Sequence, residues 1–247
     1  MRTKSQIMAE IRAIRTNPEN YVTRTLRADP YSLVTNSVLA KIPGSSIFEG
    51  MSWKEIRQAV KEAVMTAFYN SKAEPKRVFG EGAELDAFYL TLRELFPGAM
   101  NVLEALNDRW DNEADYHEWT LPDGHVSHVK VMETIGGVLE IEGLKLAYRY
   151  RANTNSKTGT SLAPNFVHSI DGFIVRYIVL KADFPVVHVH DQIDFHPNHG
   201  DEVRKLYLEA IALVAESKLL EKFCERDFNI DVSAVVKAMK DSQYALC

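Results

Sequence analysis

The chain has 247 residues, 46% hydrophobic and 26% charged, which supports one sizeable core or two small ones and excludes a disordered chain. No stretch approaches the roughly 20 consecutive apolar residues of a membrane span, and MRTKSQIMAEIRAIR lacks the apolar run of a secretory signal, so no membrane partner is expected. A net charge of -5 excludes a bulk electrostatic grip on nucleic acid; any such site must be a local basic channel or be completed by a more basic partner. Cys224 and Cys247 form neither a metal spacing nor a disulfide framework, which fits a reducing, intracellular compartment.

From Ser5 to about Lys41 apolar residues recur at helical spacing, broken at Asn17-Pro18 and Asp29-Pro30, which predicts two or three short helices and then a loop at Pro43 to Ser46. Ser52 and Glu55 have capping-box spacing, and Ile56, Val60, Val64 and Phe68 form the stripe of a helix expected to run to about Lys72 and to end before Pro75. A second helical region is expected from about Glu81 to Trp110, broken at Pro97-Gly98. Around the turn Pro122-Asp123-Gly124 the pattern changes to alternation, with strands at Tyr116 to Thr120 and His125 to Met132. Alternation returns from Val138 to Tyr150, so one small antiparallel sheet is expected over about 116–151, followed by a polar loop at Asn153 to Thr160. Ala163-Pro164-Asn165 then opens a helix to about Lys181. A short strand, Val186 to His190, a turn at Asp191-Gln192 and a return strand to Pro197 come next. Helices at about Asp201 to Lys218 and Val232 to Met239 complete an α+β chain, mainly helical with a small antiparallel sheet.

Two groups of residues carry chemical potential. His188, His190, Asp191, Asp194, His196 and His199 form the densest set of metal-ligand types. On a strand His188 and His190 share one face while Asp191 takes the other, so the three do not converge without a bend. A carboxylate at a tight turn after a buried strand is the stronger lead, and its oxygens suit magnesium. The other group is Arg57, Lys61, Met65 and Tyr69. Steps of four residues advance about 400° each, so these side chains form a spiralling row along one helix face. Two cations followed by an aromatic hydroxyl could grip a triphosphate and then test a sugar. The competing reading is a solvated edge in which Arg57 and Lys61 pair with Glu55 and Glu62.

Arg57-x3-Lys61-x7-Tyr69, within RQAVKEAVMTAFYNSK, resembles the motif B helix of the phage and mitochondrial single-subunit RNA polymerases. APNFVHSIDG, Ala163 to Gly172, is similar to a segment of the same family, as are TLPDG at Thr120 to Gly124 and NTN at Asn153 to Asn155. VHVHDQI, Val187 to Ile193, resembles motif C, with its His-Asp core, and Tyr244 to Cys247 resembles the family's C-terminal foot. The similarity covers about Pro30 to the end, in order. It implies helical fingers over 1–168, containing the motif B helix (about 52–72) and the sheet, and the C-terminal part of a palm over 169–247, with the motif C hairpin flanked by helices.

The resemblance also implies roles. Asp191 would bind Mg2+ for nucleotidyl transfer. Arg57 and Lys61 would hold the triphosphate beside Met65, with Lys61 protonating pyrophosphate as it leaves. Tyr69 would sense the ribose 2′-hydroxyl. His168, His190 and Asn165 would contact nucleic acid. DNA template, RNA product and nucleoside triphosphates are the implied partners, and the host-cell cytoplasm is the implied location of a phage protein. The chain departs from the family at Asn70, where glycine is usual, so a different backbone approach is expected there, and at Glu62, where a basic residue is usual. It also carries no motif A. DPYSLVTNSVLAKI, Asp29 to Ile42, looks like the helix after motif A, so a second polymerase subunit is expected to supply that aspartate in a heterodimer. A truncated fragment would read the same way, although the initiating methionine favours a natural start. The alternatives are a family A DNA polymerase fragment, against which APNFVHSIDG and Gln192 stand, a catalytically dead nucleic-acid-binding module, and a metallohydrolase.

Overall fold

The computed structural model describes residues 29–153, 159–190 and 192–241. Among these residues the chain is α+β, mainly helical with three separate two-stranded antiparallel sheets. The expected helices before Asp29, the second and third residues of the NTN motif, Asp191 and the C-terminal foot lie outside the described residues.

The N-terminal core is built from helices alone. Asp29 caps α1 (Pro30–Lys41), whose first residue is the proline that this position tolerates. Helix α2 (Trp53–Phe68) opens on the expected capping box, in which Ser52 and Glu55 satisfy each other's backbone N–H groups. Its buried stripe, Ile56, Val60, Ala63, Val64 and Ala67, packs with Val34 and Val38 of α1, Phe79 of α3 (Ala73–Phe79), and Phe88 and Leu92 of α4 (Ala83–Leu95).

Helix α2 ends earlier than its pattern predicts. The Ser71 N–H donates to the Thr66 carbonyl and the Asn70 N–H to that of Ala67, and Asn70 takes a left-handed φ of 64°. This is a Schellman stop, which needs a residue that tolerates the left-handed region. Pro75 does not terminate α2; it sits in the first turn of α3, where its missing N–H costs nothing.

Helix α5 (Pro97–Asp108) joins the two halves, contributing Met100 to the first core and Leu106 to the second. The second core combines strands and helices. In β1 (Tyr116–Thr120) the alternation buries His117 and Trp119, and β1 pairs with β2 (Val126–Lys130) across a turn in which Gly124 has φ 81°. Trp119 packs against Phe166 of α6 (Leu162–Lys181) and Phe223 of α8 (Leu219–Cys224), with α7 (Gly200–Glu216) supplying Val203, Leu206 and Ala210. The last helix, α9 (Val232–Asp241), packs on α7. An expected division after residue 168 falls inside α6, whose Phe166 and Phe173 share one core.

The single sheet expected over 116–151 is two sheets. Strands β3 (Glu133–Ile141) and β4 (Leu144–Ala152) pair only with each other, and Leu139, Ile141, Leu144 and Leu146 are exposed. The third sheet is β5 (Val186–Val189) with β6 (Gln192–Phe195). Its strand was expected to be buried, but Val187 is 62% and Val189 56% exposed. Apolar residues cannot be sheltered by a two-stranded sheet with an uncovered face. No helix among the described residues is long and apolar enough to cross a membrane.

Candidate functional site

Tyr69, His168 and His190, far apart in sequence, line one open cleft of ≈ 540 Å³ together with Asp171 and Gly172. Each reaches it by a separate device. Tyr69 is the C-cap of α2, where the stop at Asn70 turns the chain. The Asn70 carboxamide exchanges hydrogen bonds with Asn107 of α5, at 2.6 and 3.3 Å, tying this end of α2 across the core junction. Asparagine tolerates the left-handed region that glycine favours, so Asn70 takes this conformation and directs its side chain to Asn107.

His168 is set by α6. The buried Trp119 indole donates to Ser169 Oγ at 2.8 Å, and Ser169 in turn donates to the Phe166 carbonyl. With Phe166 and Trp119 in the core, His168 faces outward and stacks on Tyr69, the ring centroids 5.3 Å apart and the planes 18° from parallel. Its Nδ1 lies 3.7 Å from Asp171 Oδ2, one helical turn on. Asp171 was not singled out from the sequence, although it stands in the same APNFVHSIDG segment. Asn165 is not among the residues lining the cleft; its side chain donates to the Ser161 carbonyl at 2.7 Å.

His190 sits in the hairpin loop with a left-handed φ of 56°, between the last pair Val189 and Gln192. The turn therefore begins at His190, one residue earlier than expected, because a two-residue hairpin loop needs positive φ at its first central position. Asp191 follows it, outside the described residues.

The rest of the row lies along α2 on the side away from its buried stripe. From Arg57 to Tyr69 the helix rises about 18 Å at 1.5 Å per residue. Met65 is exposed, while Arg57 and Lys61 are half-buried. Neither cation pairs as local spacing suggested. Glu55 is spent on the capping box, and Glu62 accepts from Gln58 and lies 3.4 Å from Arg77. Arg57 instead reaches back to Asp29, with Nη2 2.7 Å and Nε 2.9 Å from Oδ2. Burial pushes the Asp29 carboxyl up, but hydrogen bonds from Ser32 and Arg57, with the Arg57 charge, outweigh it and hold the group below its ordinary value. Lys61 forms no ion pair among the described residues, and its Nζ lies 5.5 Å from the Tyr31 ring centroid.

The histidine-rich segment does not gather into a ligand set. His188 stands opposite Ile193 and Asp194 opposite Val187, so the two side chains take opposite faces. His199 stacks on Phe184 at 3.9 Å, and His196 Nδ1 accepts from the Asn198 N–H. Among the described residues no three His, Cys, Asp or Glu side chains are placed to hold a metal ion together. For the implied Mg2+, the cleft offers one described carboxylate, Asp171, which does not by itself fit a hard cation that needs several oxygen ligands. No protein-family model matches the chain, and no curated protein matches it in sequence.

Proposed function

We propose that this chain is the nucleotide-selecting subunit of a two-chain, DNA-dependent RNA polymerase, with fingers and part of a palm, and that a partner chain provides the motif A carboxylate. The observation that carries this reading is the convergence of Tyr69, His168 and His190 on one cleft. The three stand in three different segments, each resembling a different polymerase motif, and their meeting in space is not a consequence of sequence spacing.

In this reading the row on α2 handles the incoming nucleotide. Arg57 and Lys61 bind the triphosphate, and Lys61 gives a proton to the departing pyrophosphate as the 3′-hydroxyl attacks the α-phosphate. Tyr69 closes the far end of the row and senses the ribose 2′-hydroxyl. In the same reading His168, stacked on Tyr69, would touch the minor groove of the growing hybrid. Asp191 and a partner carboxylate would hold Mg2+, which when bound supplies charge stabilisation at the transferring group. The exposed hairpin β5–β6 supports the need for a partner: two strands with uncovered valines are marginal alone, and a further strand would shelter them. The location in a host-cell cytoplasm belongs to the same proposal.

The test is copurification of the chain with its associated partner, followed by extension on a DNA template with ribo- or deoxyribonucleoside triphosphates. Ribonucleotides are incorporated, Asp191→Asn lowers the rate by about three orders of magnitude, and Tyr69→Phe relaxes the sugar preference. A complex that prefers deoxyribonucleotides makes the chain a DNA polymerase fragment. Extension unaffected by Asp191→Asn reduces it to a binding module.

A further inference from the structure

Arg57 and Lys61 stand four residues apart on α2, a like-charge spacing that destabilises a helix unless counter-charge is supplied. Neighbours on the same helix do not supply it, because Glu55 and Glu62 are engaged elsewhere. The compensation comes from the first turn of α1, 25 or more residues earlier in the chain. Asp29 Oδ2 accepts from Arg57 Nε and Nη2, and Ser32 Oγ lies 3.1 Å from the same Nε. The Tyr31 ring lies under both cations, 5.8 Å from Arg57 Cζ and 5.5 Å from Lys61 Nζ, within the range of a cation–π contact.

Asp29 is itself hydrogen-bonded to the helix end it caps. Its Oδ1 accepts from the N–H groups of Tyr31 and Ser32, and its Oδ2 from Ser32 Oγ at 2.6 Å. A carboxylate fixed by the helix end it caps is a rigid anchor for a long side chain. The planar guanidinium has two usable edges, and the Nε–Nη2 edge is the one engaged, which leaves the edge shared by the two Nη groups for a second anion.

We propose that Asp29 and Tyr31 are positioning residues for triphosphate binding: Asp29 holds Arg57 by one edge, and the Tyr31 ring sets Arg57 and Lys61 side by side, so that both cations are ordered before the anion arrives. This rests on the reading of α2 as a triphosphate-binding helix. Ordering a flexible cation in advance removes part of the entropy cost of binding. A partly exposed ion pair that only stapled α1 to α2 would contribute little.

The experiment is calorimetric titration of the chain with inorganic tripolyphosphate. Arg57→Ala is expected to weaken binding about tenfold, and Asp29→Ala about fivefold. In the Arg57→Ala background, Asp29→Ala has no further effect, because Asp29 acts through Arg57. Asp29→Asn, which keeps an acceptor oxygen and the helix cap, binds at least as well as the unaltered chain. An equal Asp29→Ala loss in both backgrounds, tighter binding by Asp29→Ala, or an Asp29→Asn loss as large as that of alanine overturns the positioning role while the triphosphate reading stands. If the unaltered chain binds no tripolyphosphate, or binds it equally after Arg57→Ala, the triphosphate reading itself fails and the positioning role falls with it.

Discussion

Helix α2 and hairpin β5–β6 each supply a residue, Tyr69 and His190, to one cleft, yet they are supported in opposite ways. The helix has Val60 and Ala63 fully buried in a core made by this chain, a satisfied capping box at one end and an asparagine pair at the other. The hairpin has four-residue strands, pairs with no other strand among the described residues, and leaves Val187 and Val189 exposed. Half of the candidate site is thus preorganised by the fold, while the half next to Asp191 lacks cover among the described residues. An active site needs its groups held by packing on all sides, so in the proposed two-chain reading the cover over this half would come from the partner.

The contrast is sharpest in stability. Phe88 is fully buried in the helical core that includes the stripe of α2 and stacks on Phe79 at 4.7 Å, so Phe88→Ala should lower unfolding stability by about 3–5 kcal/mol. Urea titration measures this; a loss below about 1 kcal/mol would mean that the helical core is not what holds α2. The double change Val187→Ser with Val189→Ser should leave the same titration within about 0.5 kcal/mol and weaken association with the copurified partner about tenfold. Equal association with and without the serines would dissociate the exposed valines from any partner.

The smallest effect concerns the link between α1 and α2. Because the Asp29 carboxyl is held below its ordinary value, its ion pair with Arg57 contributes stability that is complete above the unfolded carboxylate value and is lost as pH falls through the lower folded one. The difference in thermal stability between the unaltered chain and Asp29→Asn should therefore shrink between about pH 5 and pH 2. A difference that stays constant over that interval would remove the charge of Asp29 from the account.

Local chemistry made much of the fold legible. The Ser52–Glu55 box, the turn at Gly124 and the alternation around Trp119 depend on neighbours within a few residues and appear where their patterns predict, while the break expected at Pro97-Gly98 falls at Phe96, with Pro97 opening the next helix. What failed was decided at long range. Residues 69–72 look compatible with a continuing helix, but Asn70 stops it with help from Asn107. Glu55 and Glu62 were the nearest candidates for the cations, yet the carboxylate that reaches Arg57 is Asp29. Valines at 186, 187 and 189 imply burial, but a sequence pattern cannot say whether a covering layer belongs to the same chain.

The sequence by itself determined the helices and hairpins, the cation row along α2 and the residue types available for chemistry, because periodicity, capping and turn preferences act over one or two turns of chain. Only the tertiary structure decided that Tyr69 stacks on His168 in a cleft shared with His190, and that Arg57 is held from α1. Tyr69 meets residues 99 and 121 positions away where the two cores join at α5, whereas Arg57 is held within the first core by residues 25 and 28 positions earlier.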